Sequence, residues 1–152
     1  MLPTPKKFKI VAAAAEGNHK LTAFDNALLE AGIGNVNLVR VSSILPPAAE
    51  QDQELVIPPG SLVPTAYGAI TCDEPGVKIA AAVGVGFSQD DFGVIMEYSG
   101  FCSREEAEAK IASMLEDAFA RRGMPLVRTE IRGVEHTVES IGCALAAVTL
   151  WY

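Results

Sequence analysis

The stretch NVNLVRVSSILPP, Asn35 to Pro47, decides how this chain folds, because a predicted strand ends inside it. Apolar residues dominate its first half and favour an extended strand. The strand then meets two adjacent serines, Ser42 and Ser43, followed shortly by two prolines. Neighbouring serines pack poorly in a strand. They either end the strand or place two hydroxyl groups side by side for a chemical purpose.

Length and composition describe one compact domain. The 152 residues are enough to bury a substantial core, and we assign residues 1–152 to a single domain. Hydrophobic residues make up 49% and charged residues 20%, which is ordinary for a compact soluble protein. The formal net charge of -7 argues against nucleic-acid binding, because that function needs a basic surface.

The cysteines and the first residues favour a cytoplasmic location. Cys72, Cys102 and Cys143 are odd in number and far apart, which favours reduced thiols. The N-terminal segment lacks the apolar run of a signal peptide, and no apolar stretch is long enough to span a membrane. We therefore expect a cytoplasmic protein.

Hydrophobic periodicity predicts an α/β fold with two helices among about seven strands. One helix is predicted within 21–35, with Thr22 as its N-cap and Gly32 closing it. The other is predicted over 103–123, with a Ser103–Glu106 capping box and Gly123 at its end. The predicted strands cover 7–17, 37–43, 61–73, 77–87, 92–101, 126–138 and 141–152, with Pro64 indicating an edge or a bulge. Two helices cannot cover both faces of one such sheet, so we expect two sheets packed together with the helices outside.

Several kinds of site are disfavoured. The G-x-G pairs at 32–34 and 84–86 lack the third glycine and the strand-to-helix context of a dinucleotide site. His19 and His136 are far apart, and no metal-ligand spacing of histidines or cysteines occurs. The G-x-S-x-G motif of a nucleophile elbow is absent.

Two carboxylates are candidates for chemistry. Glu97 lies within the apolar strand GVIMEYSG, where alternation lets its side chain face either solvent or the interior. A buried Glu97 would have a raised pKa and would suit proton donation near neutral pH. Asp25 fits the first turn of its predicted helix, where the helix dipole favours an acid without any further role.

The serine pair also permits a reaction of the chain with itself. In a strained backbone, one of the two serine hydroxyls can attack the preceding carbonyl and convert the peptide into an ester. β-Elimination then cleaves the chain and leaves a dehydroalanine, which hydrolyses to an N-terminal pyruvoyl group. Serine is required because its oxygen acts first as the nucleophile and then as the leaving group. The alternative is an ordinary strand end.

Four strings of the sequence carry a resemblance to a known family: FDNALLEAGIGNVNLVRVSSILPP, GSLVPTAYG, GVIMEYSG and VEHTVESIGCALAAVTLWY. Together they closely resemble the pyruvoyl-dependent arginine decarboxylases, over residues 11–152. The resemblance implies a four-layer α/β/β/α sandwich of two mainly antiparallel or mixed sheets with outer helices. It also implies a proenzyme that cuts itself into a β chain, 1–42, and an α chain, 43–152. Members form trimers of αβ units, or dimers of such trimers, with active sites between neighbouring protomers.

The resemblance also implies roles for individual residues. Ser42 and Ser43 match the cleavage site, and Ser43 becomes the covalent pyruvoyl group, so neither a metal nor pyridoxal phosphate is expected. Asn37 matches the asparagine that assists self-processing. Asp25 matches the carboxylate that holds the guanidinium of the substrate, and Glu97 matches the proton donor.

The resemblance implies that the enzyme converts L-arginine to agmatine and CO₂. The pyruvoyl ketone forms an imine with the amino group of the substrate and accepts the electron pair released with CO₂. Two alternatives remain open. The same chemistry acts on another amino acid, such as histidine or lysine, or the chain is an uncleaved homologue without enzymatic activity.

Overall fold

A computed structural model describes residues 2–152 of the chain. This part of the chain forms nine strands and two helices. In chain order they are β1 (Lys7–Glu16), α1 (Lys20–Glu30), β2 (Asn37–Arg40), β3 (Ile44–Leu45), β4 (Glu50–Gln51), β5 (Leu62–Cys72), β6 (Lys78–Phe87), β7 (Gly93–Gly100), α2 (Arg104–Arg122), β8 (Arg128–Thr137) and β9 (Gly142–Trp151).

The strands form two sheets, which confirms the predicted fold class. The five-stranded sheet has the order β2-β5-β9-β1-β4 and mixes parallel with antiparallel pairs, whereas the four-stranded sheet has the order β3-β7-β6-β8 and is antiparallel. The helix α1 packs on the five-stranded sheet and α2 on the four-stranded sheet. The order of layers is therefore α/β/β/α.

The inner layer between the two sheets is made largely of small side chains. Alanines and valines of β6 meet alanines of β9 in one buried cluster, and nearly every residue of these two strands is buried. Both strands lie inside their sheets, so they need apolar residues on both faces. The run GCALAAVTLW is accordingly a strand, although its alanines also suit a helix.

Three of the four helix ends lie where the sequence predicts them. The N-cap of α2 is Ser103, whose hydroxyl accepts a hydrogen bond from the Glu106 N–H, and its C-cap is Gly123 in the left-handed region. The helix α1 ends before Gly32, which has φ +79°. Its predicted start is wrong: His19, and not Thr22, is the N-cap, because the Thr22 hydroxyl reaches back to the His19 N–H. 

Two predictions about strands are also wrong. Pro64 does not mark an edge strand, since β5 lies between β2 and β9. The pairing of β5 with β9 starts only at Thr65, so the missing N–H of Pro64 interrupts no hydrogen bond between these two strands. The strand predicted over 37–43 ends at Arg40. The next residues leave the five-stranded sheet and enter the four-stranded one.

Glu16 of β1 forms hydrogen bonds that connect the two sheets at one end of the sandwich. Its carboxylate lies 2.5 Å from Nε2 of His136 and accepts N–H bonds from Ser140 and Ile141 in the turn after β8. Burial alone raises the pKa of Glu16, but these hydrogen bonds, with that of His136 foremost, bring the pKa below its ordinary value. The contact joins β1 of one sheet to β8 of the other.

In residues 2–152, neither helix has the length and apolar character that crossing a membrane requires.

The tight packing of α2 on β6 gives a first testable prediction. A Cβ added at Gly84 would lie 2.4 Å from Cγ2 of Ile111, so Gly84→Ala forces a buried helix away from its sheet. We expect a loss of about 1–3 kcal/mol in the free energy of unfolding, measured by urea denaturation. Gly133→Ala is the matched control, because its Cβ would meet only the flexible side chains of Arg104 and Glu108. Equal stabilities for the two variants would contradict this packing.

The corner at Glu16 gives a prediction about pH. A carboxyl group with a lowered folded pKa stabilises fully above the unfolded pKa of about 4.3, and this contribution disappears as the pH falls through the folded pKa. Glu16→Gln cannot ionise, so it should be less stable at pH 7 and should lose less stability between about pH 5 and pH 3. Urea denaturation at several pH values measures this, with the exposed Glu30→Gln as control. Parallel curves for wild type and Glu16→Gln would count against the assignment.

Candidate active site

The bond between Ser42 and Ser43 lies where the chain crosses from one sheet to the other. On its N-terminal side, the Val41 N–H donates to the Thr65 carbonyl of β5, at 3.1 Å. On its C-terminal side, the Ser43 carbonyl accepts from the Ile95 N–H of β7, at 2.7 Å. The peptide bond between the serines is therefore held from both ends by different sheets. Both flanking strands, β2 and β3, are edge strands.

The sequence leads us to expect a strained backbone at Ser42 and Ser43 if one serine attacks the chain, and the backbone there shows no such strain. Neither serine has a positive φ, and residues 2–152 contain no cis peptide bond. The positive φ values nearby belong to Ala48, at 62°, and Asp90, at 56°. The position of the bond is fixed by the two sheets that it connects.

Glu97 and Ser43 lie on the same face of the four-stranded sheet. In the register of β3 with β7, Ile44 pairs with Val94, and the hydrogen bond to Ile95 places Ser43 opposite that residue. Ile95 belongs to the cluster between the sheets, and Glu97 is the next residue of β7 on that face. Diagonal neighbours of this kind are about 7–8 Å apart between backbones, within reach of a glutamate side chain.

Glu97 is half-buried, on the face of β7 that turns toward the other sheet. Gly68 of β5 faces it across the space between the sheets, since a Cβ added at Gly68 would lie 3.4 Å from the Glu97 Cβ. Burial raises the pKa of Glu97, and the positive charge of Arg40 opposes this rise in part. A glutamate whose pKa is raised retains a proton closer to neutral pH and can donate it.

Asp25 lies on the other side of the five-stranded sheet from Glu97. It is exposed on α1, and because the helix begins earlier than predicted, Asp25 is not in its first turn. The helix dipole therefore gives this carboxylate no structural role. Leu21 and Leu29 flank it one turn away on each side, with 75% and 48% of their surfaces exposed. A carboxylate between exposed leucines suits a cation with an aliphatic stem.

Asn37 lies at the start of β2, and its side-chain amide donates to the Gly60 carbonyl at 3.0 Å. Five residues of extended chain separate it from Ser42, which corresponds to about 16 Å. Within one chain, the structure thus brings Ser42, Ser43 and Glu97 together and leaves Asn37 and Asp25 apart from them.

Sequence reasoning missed Arg40 and Tyr67 beside the site. The guanidinium carbon of Arg40 lies 4.1 Å from the centre of the Tyr67 ring. Gly68, which accommodates Glu97, follows Tyr67 directly. The position of Arg40 just before the serines was a possible signal, but only the pairing of β2 with β5 shows which residues it meets.

A cavity of about 430 Å³ lies beside the C-terminal end of α1, between Leu29, Ile33 and Val36 on one side and residues 53–57 on the other. It contains neither Ser43 nor Glu97. In the described part of the chain, no three His, Cys, Asp or Glu side chains are grouped so that they could hold a metal ion.

Comparison with known proteins gives consistent matches over nearly the whole chain. The family model for pyruvoyl-dependent arginine decarboxylase (PvlArgDC) matches residues 7–152. The chain is 52% identical over 150 residues to a pyruvoyl-dependent arginine decarboxylase of Methanocaldococcus jannaschii, covering 97% of this chain and 91% of the relative. It is 51% identical over 152 residues to the protein of that name from Pyrococcus horikoshii, covering 97% and 96%. For the Thermococcus kodakarensis protein of that name the identity is 47% over 151 residues, with coverages of 98% and 96%.

Proposed function

The chain belongs to the pyruvoyl-dependent arginine decarboxylase family, and we propose that it converts L-arginine to agmatine and CO₂ using a pyruvoyl group made from Ser43. The observation that carries the proposal is the shared face of Ser43 and Glu97 at the crossing between the sheets. One residue of this pair is the source of the prosthetic group, and the other is a carboxyl group suited to proton donation.

The first step is cleavage of the chain between Ser42 and Ser43, giving a β chain of residues 1–42 and an α chain of residues 43–152. Oγ of Ser43 attacks the Ser42 carbonyl, the C–N bond breaks, and an ester links the two residues. β-Elimination transfers the ester oxygen to the new carboxyl terminus at Ser42 and leaves a dehydroalanine. Water then adds, ammonia departs, and residue 43 retains a ketone.

The surrounding residues fit this product. The carbonyl of residue 43 is bound to the Ile95 N–H, so the new N-terminus stays on β7 after cleavage. The β chain also stays in place, because β1 pairs with β9 over the full range from Lys7–Trp151 to Glu16–Gly142. When formed, the pyruvoyl group supplies the electron sink for loss of CO₂.

Glu97 is proposed as the proton donor to the carbon that loses CO₂. Its half-buried position raises its pKa, which favours the protonated form from which a proton can be donated. The apolar residues around the crossing, such as Leu45 and Ile95, limit the access of water to that carbon.

Asp25 is proposed to bind the guanidinium of arginine through a bidentate charged contact. Because it lies across the five-stranded sheet from Glu97 of its own chain, we infer that it serves the site of a neighbouring protomer. The exposed apolar residues Val39 and Ile44, on the edge strands beside the crossing, support an interface there. These features support the proposed trimer of αβ units.

Asn37 is proposed to assist processing. Because Asn37 lies on β2, five residues before Ser42, we infer that it acts on the cleavage site of a neighbouring protomer. A cytoplasmic location is also proposed, and the three unpaired cysteines support it.

The substrate assignment is tested by measuring CO₂ release with arginine, lysine and histidine. Arginine should be turned over, and Asp25→Ala should lose about 2–5 kcal/mol of transition-state binding for it, roughly 30- to 4,000-fold in kcat/KM. Glu30→Ala, an exposed acid on the same helix, is the matched control and should retain full activity. An Asp25→Ala enzyme with wild-type kcat/KM for arginine would remove Asp25 from substrate binding, and turnover of lysine or histidine alone would replace arginine as substrate.

The processing scheme predicts opposite results for the two serines. Ser43→Ala removes the attacking oxygen and should give one uncut, inactive chain on a denaturing gel. Ser42→Ala retains the carbonyl that is attacked and should still be cut, because only the backbone of residue 42 takes part. Cleavage of Ser43→Ala at the same bond would contradict attack by its hydroxyl group.

A further inference from the structure

Cleavage between Ser42 and Ser43 makes residue 43 the first residue of a chain, so the ketone sits on a free chain end. Chain ends are poorly ordered unless the fold ties them down. The Ile95 N–H is bound to the carbonyl of residue 43 at 2.7 Å, and this carbonyl remains when the nitrogen of residue 43 is lost. A single hydrogen bond contributes little net stability. The residues that follow must therefore hold this end.

Residues 43–49 form a short arm between the two sheets. Its regular part is β3, whose residues pair with β7, Ile44 with Val94 and Leu45 with Gly93. Because β3 lies at the edge of its sheet, β7 is the strand that holds it. Ile44 is 42% exposed and Leu45 is 3% exposed, so Leu45 is the side chain by which β3 is anchored in the core.

Leu45 lies directly on Gly93 in the cluster between the sheets. A Cβ added at Gly93 would lie 3.3 Å from Cδ2 of Leu45 and 2.6 Å from the Gly86 carbonyl oxygen, so a glycine here lets Leu45 lie close to β7. Side chains two residues apart on a strand share a face. Leu45 therefore lies beside residue 43, on the face of the sheet that carries Glu97.

A tight turn fixes the other end of the arm. The Ala49 N–H donates to the Pro46 carbonyl at 3.2 Å, with Pro47 and Ala48 between them. A proline followed by a residue with positive φ is typical of a type II turn, and Ala48 has φ 62°. Glycine is usual at that position, and another residue persists there only where its surroundings fix it. Beyond the turn, β4 pairs with β1, so the far end of the arm belongs to the other sheet.

We propose that Leu45 is a positioning residue that holds the cut end of the α chain so that the ketone of residue 43 stays within reach of Glu97. The inference rests on the proposed conversion of Ser43 and the proposed role of Glu97. In the uncut chain, residue 43 is also held from its other side, where the Val41 N–H is bound to the Thr65 carbonyl. Cleavage removes this second support, so Leu45 acts mainly in the cut enzyme. A displacement of about 1 Å at a reacting atom can cost about 100-fold in rate.

The test compares Leu45→Ala with Leu115→Ala, after an intact mass spectrum has given the cut fraction of each preparation. Leu115 is the matched control because it is a fully buried leucine that packs on the same sheet from the opposite face, with Cδ1 3.2 Å from a Cβ added at Gly84. Both truncations leave a cavity in the core and should lower the urea midpoint.

The two variants should differ in catalysis. Per pyruvoyl group, Leu45→Ala should lower kcat for arginine by about 10- to 100-fold, whereas Leu115→Ala should retain it. KM should stay within about twofold in both, because the proposed contact with the guanidinium is unaltered. Leu45→Met conserves the side-chain volume and should restore kcat. Leu45→Val, a milder truncation, should show the same effect to a smaller extent.

Hydrogen exchange of the Ile95 amide reports on the arm directly, since this N–H is bound to the carbonyl of residue 43. Its protection should fall far more in cut Leu45→Ala than in Leu115→Ala. In Ser43→Ala, which should remain uncut, adding Leu45→Ala should reduce the protection less, because Val41 still holds the chain from the other side.

Equal kcat values and equal Ile95 exchange in Leu45→Ala and Leu115→Ala would overturn the inference and leave the proposed function intact. An uncut Leu45→Ala chain beside a cut Leu115→Ala chain would also overturn it, because Leu45 would then be needed before cleavage. A wild-type chain that stays uncut, or that releases no CO₂ from arginine, would instead refute the proposed function.

Discussion

The passage of one peptide segment between two sheets is the constraint on which the rest of this structure depends. Val41 is bound to the five-stranded sheet and Ser43 to the four-stranded sheet, so the bond between residues 42 and 43 connects the two halves of the sandwich. Cutting this bond leaves each new end attached to its own sheet. The fold can therefore contain a break in the backbone at the bond where we propose that the chain is cut.

Small residues on the inner strands allow the carboxyl group of Glu97 to lie between the two sheets. Gly68 faces the side chain of Glu97 across the space between the sheets, and the alanines of β6 and β9 let the sheets pack closely around it. This enclosure raises the pKa of Glu97, and Arg40 limits the rise. The edge position of β2 and β3 leaves the site open to a neighbouring protomer, which is also where the proposal places Asp25.

Much of the fold was predictable from sequence because its signals are local. Strand alternation, the capping box at Ser103 and the small number of helices together predicted four layers, which the structure confirms. The start of α1 was predicted wrongly because the Thr22 hydroxyl accepts a hydrogen bond from the His19 N–H. Thr22 therefore lies inside the first turn, and His19 is the N-cap. The exit of the chain from β2 was missed because edge pairing depends on partners distant in sequence. For the same reason the contact between Arg40 and Tyr67 could not be predicted, whereas Ser43 and Glu97 stood out as polar residues in apolar strands.

The proposed activity depends on the conversion of residue 43 into a pyruvoyl group at the crossing between the sheets. An intact mass spectrum of the purified wild-type protein under denaturing conditions tests this most directly. We expect two chains, one ending at Ser42 and the other beginning at residue 43, with the larger chain bearing a ketone in place of its amino terminus. A single chain of full length, in a sample that nevertheless releases CO₂ from arginine, would contradict it.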